Sequence, residues 1–219
     1  MRVLCLHGMG SNCRKAALRY ELGDDYSYDF VDGPVLWEKD RDLDQYVMGD
    51  ENTYAICDPT KPDSCIQAIE NLEQYILTEG PYDGVMGFSQ GANIALSWMI
   101  KKQRENKRNK TQPLPFKFGI FFSNPWGVYD ANALADGQLV YLDPAAFEGL
   151  IDLPTAHIWG TGDKDRAMAQ MISNACVAEK RSVFIHDQGH EIPLKKDAVI
   201  SMAKVINRAM AQAQFVELP

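Results

Sequence analysis

The chain alternates short apolar runs with stretches of helical periodicity. Residues 2–7, apolar from Val3 to Leu6, read as a buried strand, and residues 11–22 then read as a helix with Ser11 or Asn12 at its cap. Residues 28–31 are a second short strand, closed by the turn signal Asp32-Gly33-Pro34. The spacing of Ser64, Ile66, Ile69, Leu72, Tyr75 and Ile76 predicts a helix over 63–78 that Gly80-Pro81 stops. Further strands are expected at 83–88, 116–123, 155–159 and 182–186. Helices are expected at 90–102, 166–179 and 193–212, the last with Pro193 near its first turn.

Strands alternating with helices predict an α/β fold: a mostly parallel sheet of about six strands, covered by helices on both faces. The pattern does not set the strand order. At 219 residues the chain suits one sizeable core better than two, so residues 1–219 are expected to form one domain. Two stretches fall outside the alternation. Residues 37–62 are acidic and aromatic (Trp37, Tyr46, Tyr54), and a loop that long with such side chains is expected to be an ordered flap over a site. Residues 101–110 are basic and polar, most simply a solvated helix end and loop.

Composition narrows the partners. The net charge of −8 argues against a surface built for nucleic-acid phosphates or for anionic lipid. No run approaches the ~18 uninterrupted apolar residues of a membrane span, and the N-terminus has neither a basic n-region nor a small-residue cleavage site. The five cysteines include no CxxC pair and are odd in number, which suits free thiols in a reducing, cytoplasmic setting.

The chemistry centres on Gly87-Phe88-Ser89-Gln90-Gly91, which fits G-x-S-x-G. The pentapeptide alone is a weak signal. Here it follows an apolar strand and opens a helical run, the strand-turn-helix setting of a nucleophile elbow. The turn strains Ser89 and needs small neighbours, and it sets the Gln90 N–H at the positive end of a helix, where an oxyanion would form. A serine hydroxyl needs a base. Of the four histidines, only His190 combines a late position with a loop after the last strand. The acid belongs between them at a strand end, where Trp159-Gly160-Thr161-Gly162-Asp163-Lys164-Asp165 offers Asp163, with Asp165 as the alternative. The second oxyanion donor is expected from the Gly8-Met9-Gly10 turn, as the N–H of Met9; a plain β-to-α turn is the competing reading. His7 is expected to brace that turn.

These residues resemble the fungal serine hydrolase family of α/β-hydrolases. The points of likeness are Leu4-Cys5-Leu6-His7-Gly8, Phe30-Val31-Asp32-Gly33-Pro34, the elbow from Glu79 to Ala92, His157-Ile158-Trp159-Gly160, and Gly189-His190-Glu191-Ile192-Pro193. The resemblance implies a compact α/β-hydrolase lacking the first two sheet strands. It implies hydrolysis of an acyl ester or thioester without metal or organic cofactor, in fungal polyketide or other secondary-metabolite biosynthesis, with an acyl-carrier protein as a partner. The chain departs from the family in a short first helix and a flap with only Trp37. A general cytosolic carboxylesterase or acyl-protein thioesterase, and a catalytically silent binding protein, are the alternatives.

Overall fold

The computed structural model describes residues 1–11, 26–39, 52–109 and 113–214. Six strands, β1 (Arg2–Leu6), β2 (Ser27–Val31), β5 (Gly84–Phe88), β6 (Phe118–Phe122), β7 (Thr155–Gly160) and β8 (Arg181–His186), form one sheet. Its order is β2-β1-β5-β6-β7-β8, and every neighbouring pair is parallel. Strands buried on both faces read as unbroken apolar runs, and β6 is the plainest case: Phe118-Gly119-Ile120-Phe121-Phe122 is buried throughout.

Alternate side chains divide between two cores. Leu4, Val85 and Phe121 meet α1 (Pro62–Glu79), α2 (Gln90–Asn109) and α4 (Arg166–Ser173) on one face. Val3, Met86, Ile120, Phe122 and Ile158 meet Val199, Met202, Ile206 and Met210 of α5 (Lys196–Gln214) on the other. Each fully buried large side chain contributes roughly 1.5–3 kcal/mol.

Several boundaries differ from expectation. The helix expected at 11–22 lies outside the described residues except for Ser11, whose backbone bridges Tyr54. The inner face of α1 is Cys65, Ala68, Ile69, Leu72 and Ile76, with Ser64, Ile66 and Tyr75 only half-buried, because small side chains let the helix approach its neighbours. Helix α2 continues to Asn109, so the basic run is helical as far as that residue. Helix α4 ends at Ser173, not 179, since the chain there turns inward to exchange backbone hydrogen bonds with Ile151. Pro193 precedes α5, which starts at Lys196. The short α3 (Ala131–Ala135), capped by the Asp130 side chain, was too brief to leave a periodic signal.

The base of the 37–62 segment is ordered. Strand β3 (Val35–Leu36) pairs antiparallel with β4 (Tyr54–Ala55), and the Trp37 N–H and Thr53 hydroxyl extend the pairing at 2.9 and 2.7 Å. Residues 40–51, the body of the expected flap, lie outside the described residues.

Candidate active site

Strand β5 ends at Phe88 and α2 begins at Gln90, leaving Ser89 alone in the turn with φ of 53°. A non-glycine residue in that region is strained, and such strain persists only where the surroundings enforce it. Here the Ser89 N–H is held by the Phe122 carbonyl at 2.9 Å, while its own carbonyl accepts the Asn93 N–H at 3.1 Å. Tight packing forbids side chains beside the turn: a Cβ at Gly87 would lie 2.5 Å from the Ala92 nitrogen, and one at Gly91 would lie 2.3 Å from the Leu6 carbonyl oxygen.

Ser89 Oγ lies 2.9 Å from His190 Nε2, and His190 Nδ1 lies 2.8 Å from Asp163 Oδ2. An ionised carboxylate only accepts, so Nδ1 carries the proton and Nε2 is left to accept from the serine hydroxyl. The loop after β8 brings His190 over the sheet edge, its ring 5.4 Å from that of Phe88. The Asp163 side chain is wholly buried, and its Oδ1 accepts the Asp165 N–H at 2.9 Å. Burial pushes this carboxyl up, but the hydrogen bonds from His190 and the Asp165 N–H, with the neighbouring Ser123 hydroxyl, outweigh it and hold the group below the usual carboxylate value. Asp165 thus meets Asp163 through its main chain, and its own carboxylate lies within 4.8 Å of the ligating atoms of Asp163 and His190.

The turn after β1 passes directly beside the serine. A Cβ at Gly8 would sit 2.8 Å from the Phe88 ring and 3.1 Å from Ser89 Cβ. Met9 follows, half-buried, and the Gly10 N–H is anchored to the Tyr54 carbonyl at 2.9 Å. His7 fixes the start of the turn: one ring nitrogen lies 2.6 Å from the Gly8 carbonyl, and the other accepts the Gly33 N–H at 2.8 Å. That arrangement needs a neutral ring, and burial accordingly lowers the His7 pKa. Gln90, as the first residue of α2, has an N–H with no partner inside the helix.

The Gln90 side chain has a role that the sequence did not announce. It is fully buried; its Oε1 accepts the Ile56 N–H at 2.7 Å and its Nε2 donates to the Cys57 carbonyl at 2.9 Å. It therefore mimics a strand partner and ties the base of the 37–62 segment to the elbow. Asn93 similarly donates to the Gly127 carbonyl at 2.8 Å and pins the chain leaving β6. A polar residue inside an apolar helix face is the one signal that marks both.

Two cavities of about 620 and 220 Å³ flank α1 and share Pro34, Ile56, Ala68 and Asn71; neither is lined by Ser89, Asp163 or His190. These two cavities are therefore separate from the Ser89–His190–Asp163 hydrogen-bond chain.

The chain has counterparts among known proteins. A family model described as "Serine hydrolase (FSH1)" matches residues 1–202. The chain belongs to this serine hydrolase family. It is accordingly a hydrolase that works through a serine. "Esterase FPY3" of Fusarium mangiferae is 34% identical over 222 residues, covering 97% of this chain and 98% of that protein. A "Probable esterase" of Aspergillus terreus is 30% identical over 226 residues, covering 94% and 87%. Among solved structures, SOBER1 of Arabidopsis thaliana superposes with a TM-score of 0.59 at 17% identity, covering 96% of this chain and 99% of that one. A carboxylesterase from Mesorhizobium loti gives 0.60 at 15% identity, covering 94% and 88%. These structural likenesses show the α/β-hydrolase fold.

Proposed function

We propose that this enzyme hydrolyses an acyl ester or thioester through a Ser89–His190–Asp163 triad and an acyl-enzyme. The observation that carries the reading is the continuous hydrogen-bond chain from Ser89 Oγ through the imidazole to the buried Asp163 carboxylate. Ser89 Oγ attacks the acyl carbonyl while His190 Nε2 takes its proton. The tetrahedral oxyanion rests on the N–H groups of Gln90 and Met9. His190 then protonates the departing alcohol or thiol, and the C–O or C–S bond breaks to leave the acyl group on Ser89. Water, deprotonated by His190, attacks the ester; the acid leaves and Ser89 regains its proton. Asp163 keeps the ring in the required tautomer and stabilises the imidazolium.

The printed names of the relatives from Fusarium mangiferae and Aspergillus terreus favour esters, and their fungal sources fit an enzyme of secondary metabolism. A carrier-bound polyketide thioester belongs to the same reading. Its weakest support is the basic run, because Lys101 and Lys102 are already ion-paired with Glu73 and Glu105. The buried thiols of Cys57 and Cys65, unbridged at 3.8 Å, support a reducing, cytoplasmic setting. The whole chain acts as one domain, with the 37–62 segment as a flap held at its base by Gln90.

A fluorophosphonate probe is expected to label the parent enzyme one-to-one at Ser89 and to leave Ser89→Ala unlabelled. Asp163→Asn, which presents the wrong ring tautomer, is expected to lose about 10⁴-fold in kcat on p-nitrophenyl esters. A folded Ser89→Ala enzyme with parental turnover refutes the triad. A panel of matched esters and thioesters separates the two leaving groups.

A further inference from the structure

Among the described residues, two non-glycine positions have positive φ: Ser89 at 53° and Ser123 at 45°. Ser123 directly follows β6, the strand beside β5, and the two turns are joined because the Phe122 carbonyl accepts the Ser89 N–H. On its other side, the Ser123 N–H donates to the Ile158 carbonyl of β7 at 2.8 Å, the strand that leads to Asp163. Ser123 therefore sits between the strand of the nucleophile and the strand of the acid, and it is 2% exposed.

Glycine adopts this backbone conformation at far lower cost than serine. A serine held there keeps a hydroxyl at a strained and dry position, which needs a reason. That hydroxyl makes no hydrogen bond of full geometry among the described residues, yet it lies close enough to the Asp163 carboxylate to favour its ionised form. Each carboxylate oxygen already has one donor, from His190 and from the Asp165 N–H. A carboxylate has room for further donors. Hydrogen bonds at such sites are often long in the resting enzyme and tighten in the complex with substrate.

We infer that Ser123 is a positioning residue whose hydroxyl donates to the Asp163 carboxylate once substrate is bound, before the proton leaves Ser89. The inference rests on the triad reading above. Its hydroxyl fixes the direction of the carboxylate, and so of the ring, at the moment the proton leaves Ser89. It forms no bond to substrate and carries no proton through the reaction.

The test compares Ser123→Ala with Ser123→Gly. Both remove the hydroxyl, but glycine relieves the backbone strain, so the fold is expected to be at least as stable in Ser123→Gly by thermal melting. If the hydroxyl positions Asp163, both variants lose about tenfold in kcat, the order of a hydrogen bond to a charged group, with KM near the parental value. The acidic limb of kcat/KM moves to higher pH in both, because a carboxylate with one fewer donor holds the imidazolium more strongly. The other titratable groups around this carboxylate, Asp165 on the same loop, His186 at the end of β8 and Asp187 beside it, are unchanged in both variants. A Ser123→Gly enzyme with parental kcat and an unmoved pH limb overturns the inference while leaving the triad intact. Parental turnover by Ser89→Ala removes the triad reading itself.

Discussion

Gly160→Ala tests whether a close backbone packing, and not only the three side chains, sets the site. Gly160 ends β7, and a Cβ there would lie 2.1 Å from the Gln188 carbonyl oxygen and 2.4 Å from that of Gly189. Both atoms are main chain, and the Gln188 carbonyl is also fixed by the Gly162 N–H at 2.9 Å. The loop must retreat by roughly 1 Å to restore van der Waals contact. His190 is two residues further along that loop and must hold 2.9 Å to Ser89 and 2.8 Å to Asp163. A misplacement of ~1 Å costs about 10²-fold in rate, equivalent to ~2.7 kcal/mol of transition-state stabilisation. Overpacking should cost a further ~1–3 kcal/mol of stability. Initial rates on p-nitrophenyl butyrate, fluorophosphonate labelling rates and thermal melts measure both. Gly189→Ala is the control, since nothing lies within 4 Å of the added carbon. A folded Gly160→Ala enzyme within about twofold of parental kcat/KM would refute a reasoning that predicts a hundredfold fall.

Two further outcomes are expected. Gln90→Leu strips the hydrogen-bond partners from Ile56 and Cys57 and should cost about 2–4 kcal/mol, read as a drop in Tm; an unchanged Tm counts against the tie between elbow and flap. His157 is buried without a partner for Nε2, and burial, aided by Arg181, pushes its pKa down to about 3; burial lowers His7 and His186 as well. The unfolded chain therefore binds more protons below about pH 6.5, so stability should fall as pH drops from there toward 3, by up to ~1.4 kcal/mol per unit for each histidine. A Tm that stays level from pH 7 to 4.5 contradicts this, and His157→Leu should flatten the slope.

The sheet was legible because parallel strands covered on both faces are buried at every position, as Phe118–Phe122 and Thr155–Gly160 are, and so read as mostly apolar runs. Ser89, Asp163 and His190 were legible because each stands at a break in that pattern: a glycine-flanked turn, a strand end and a loop histidine. Helix faces were read less well. Cys65 and Ala68 pack inward on α1 although their side chains are small, and a search for large apolar residues favours Ile66 and Tyr75. The end of α4 is set by hydrogen bonds to Ile151, more than twenty residues back along the chain, which no local window contains. Ser123 gave no sequence signal, since a strained backbone angle is written in the neighbours that enforce it.

The 2.9 Å contact between Ser89 and His190 joins positions 101 residues apart, and their strands are separated in the sheet by β6 and β7. With the proposed triad, a nascent chain shorter than its last strand and loop lacks the base and should turn over no substrate, however well its earlier half has collapsed. Closing so long a span is slow compared with forming local helices. During refolding, recovered turnover should therefore lag behind the far-ultraviolet circular dichroism signal, which makes catalysis a late clock for completion of this molecule.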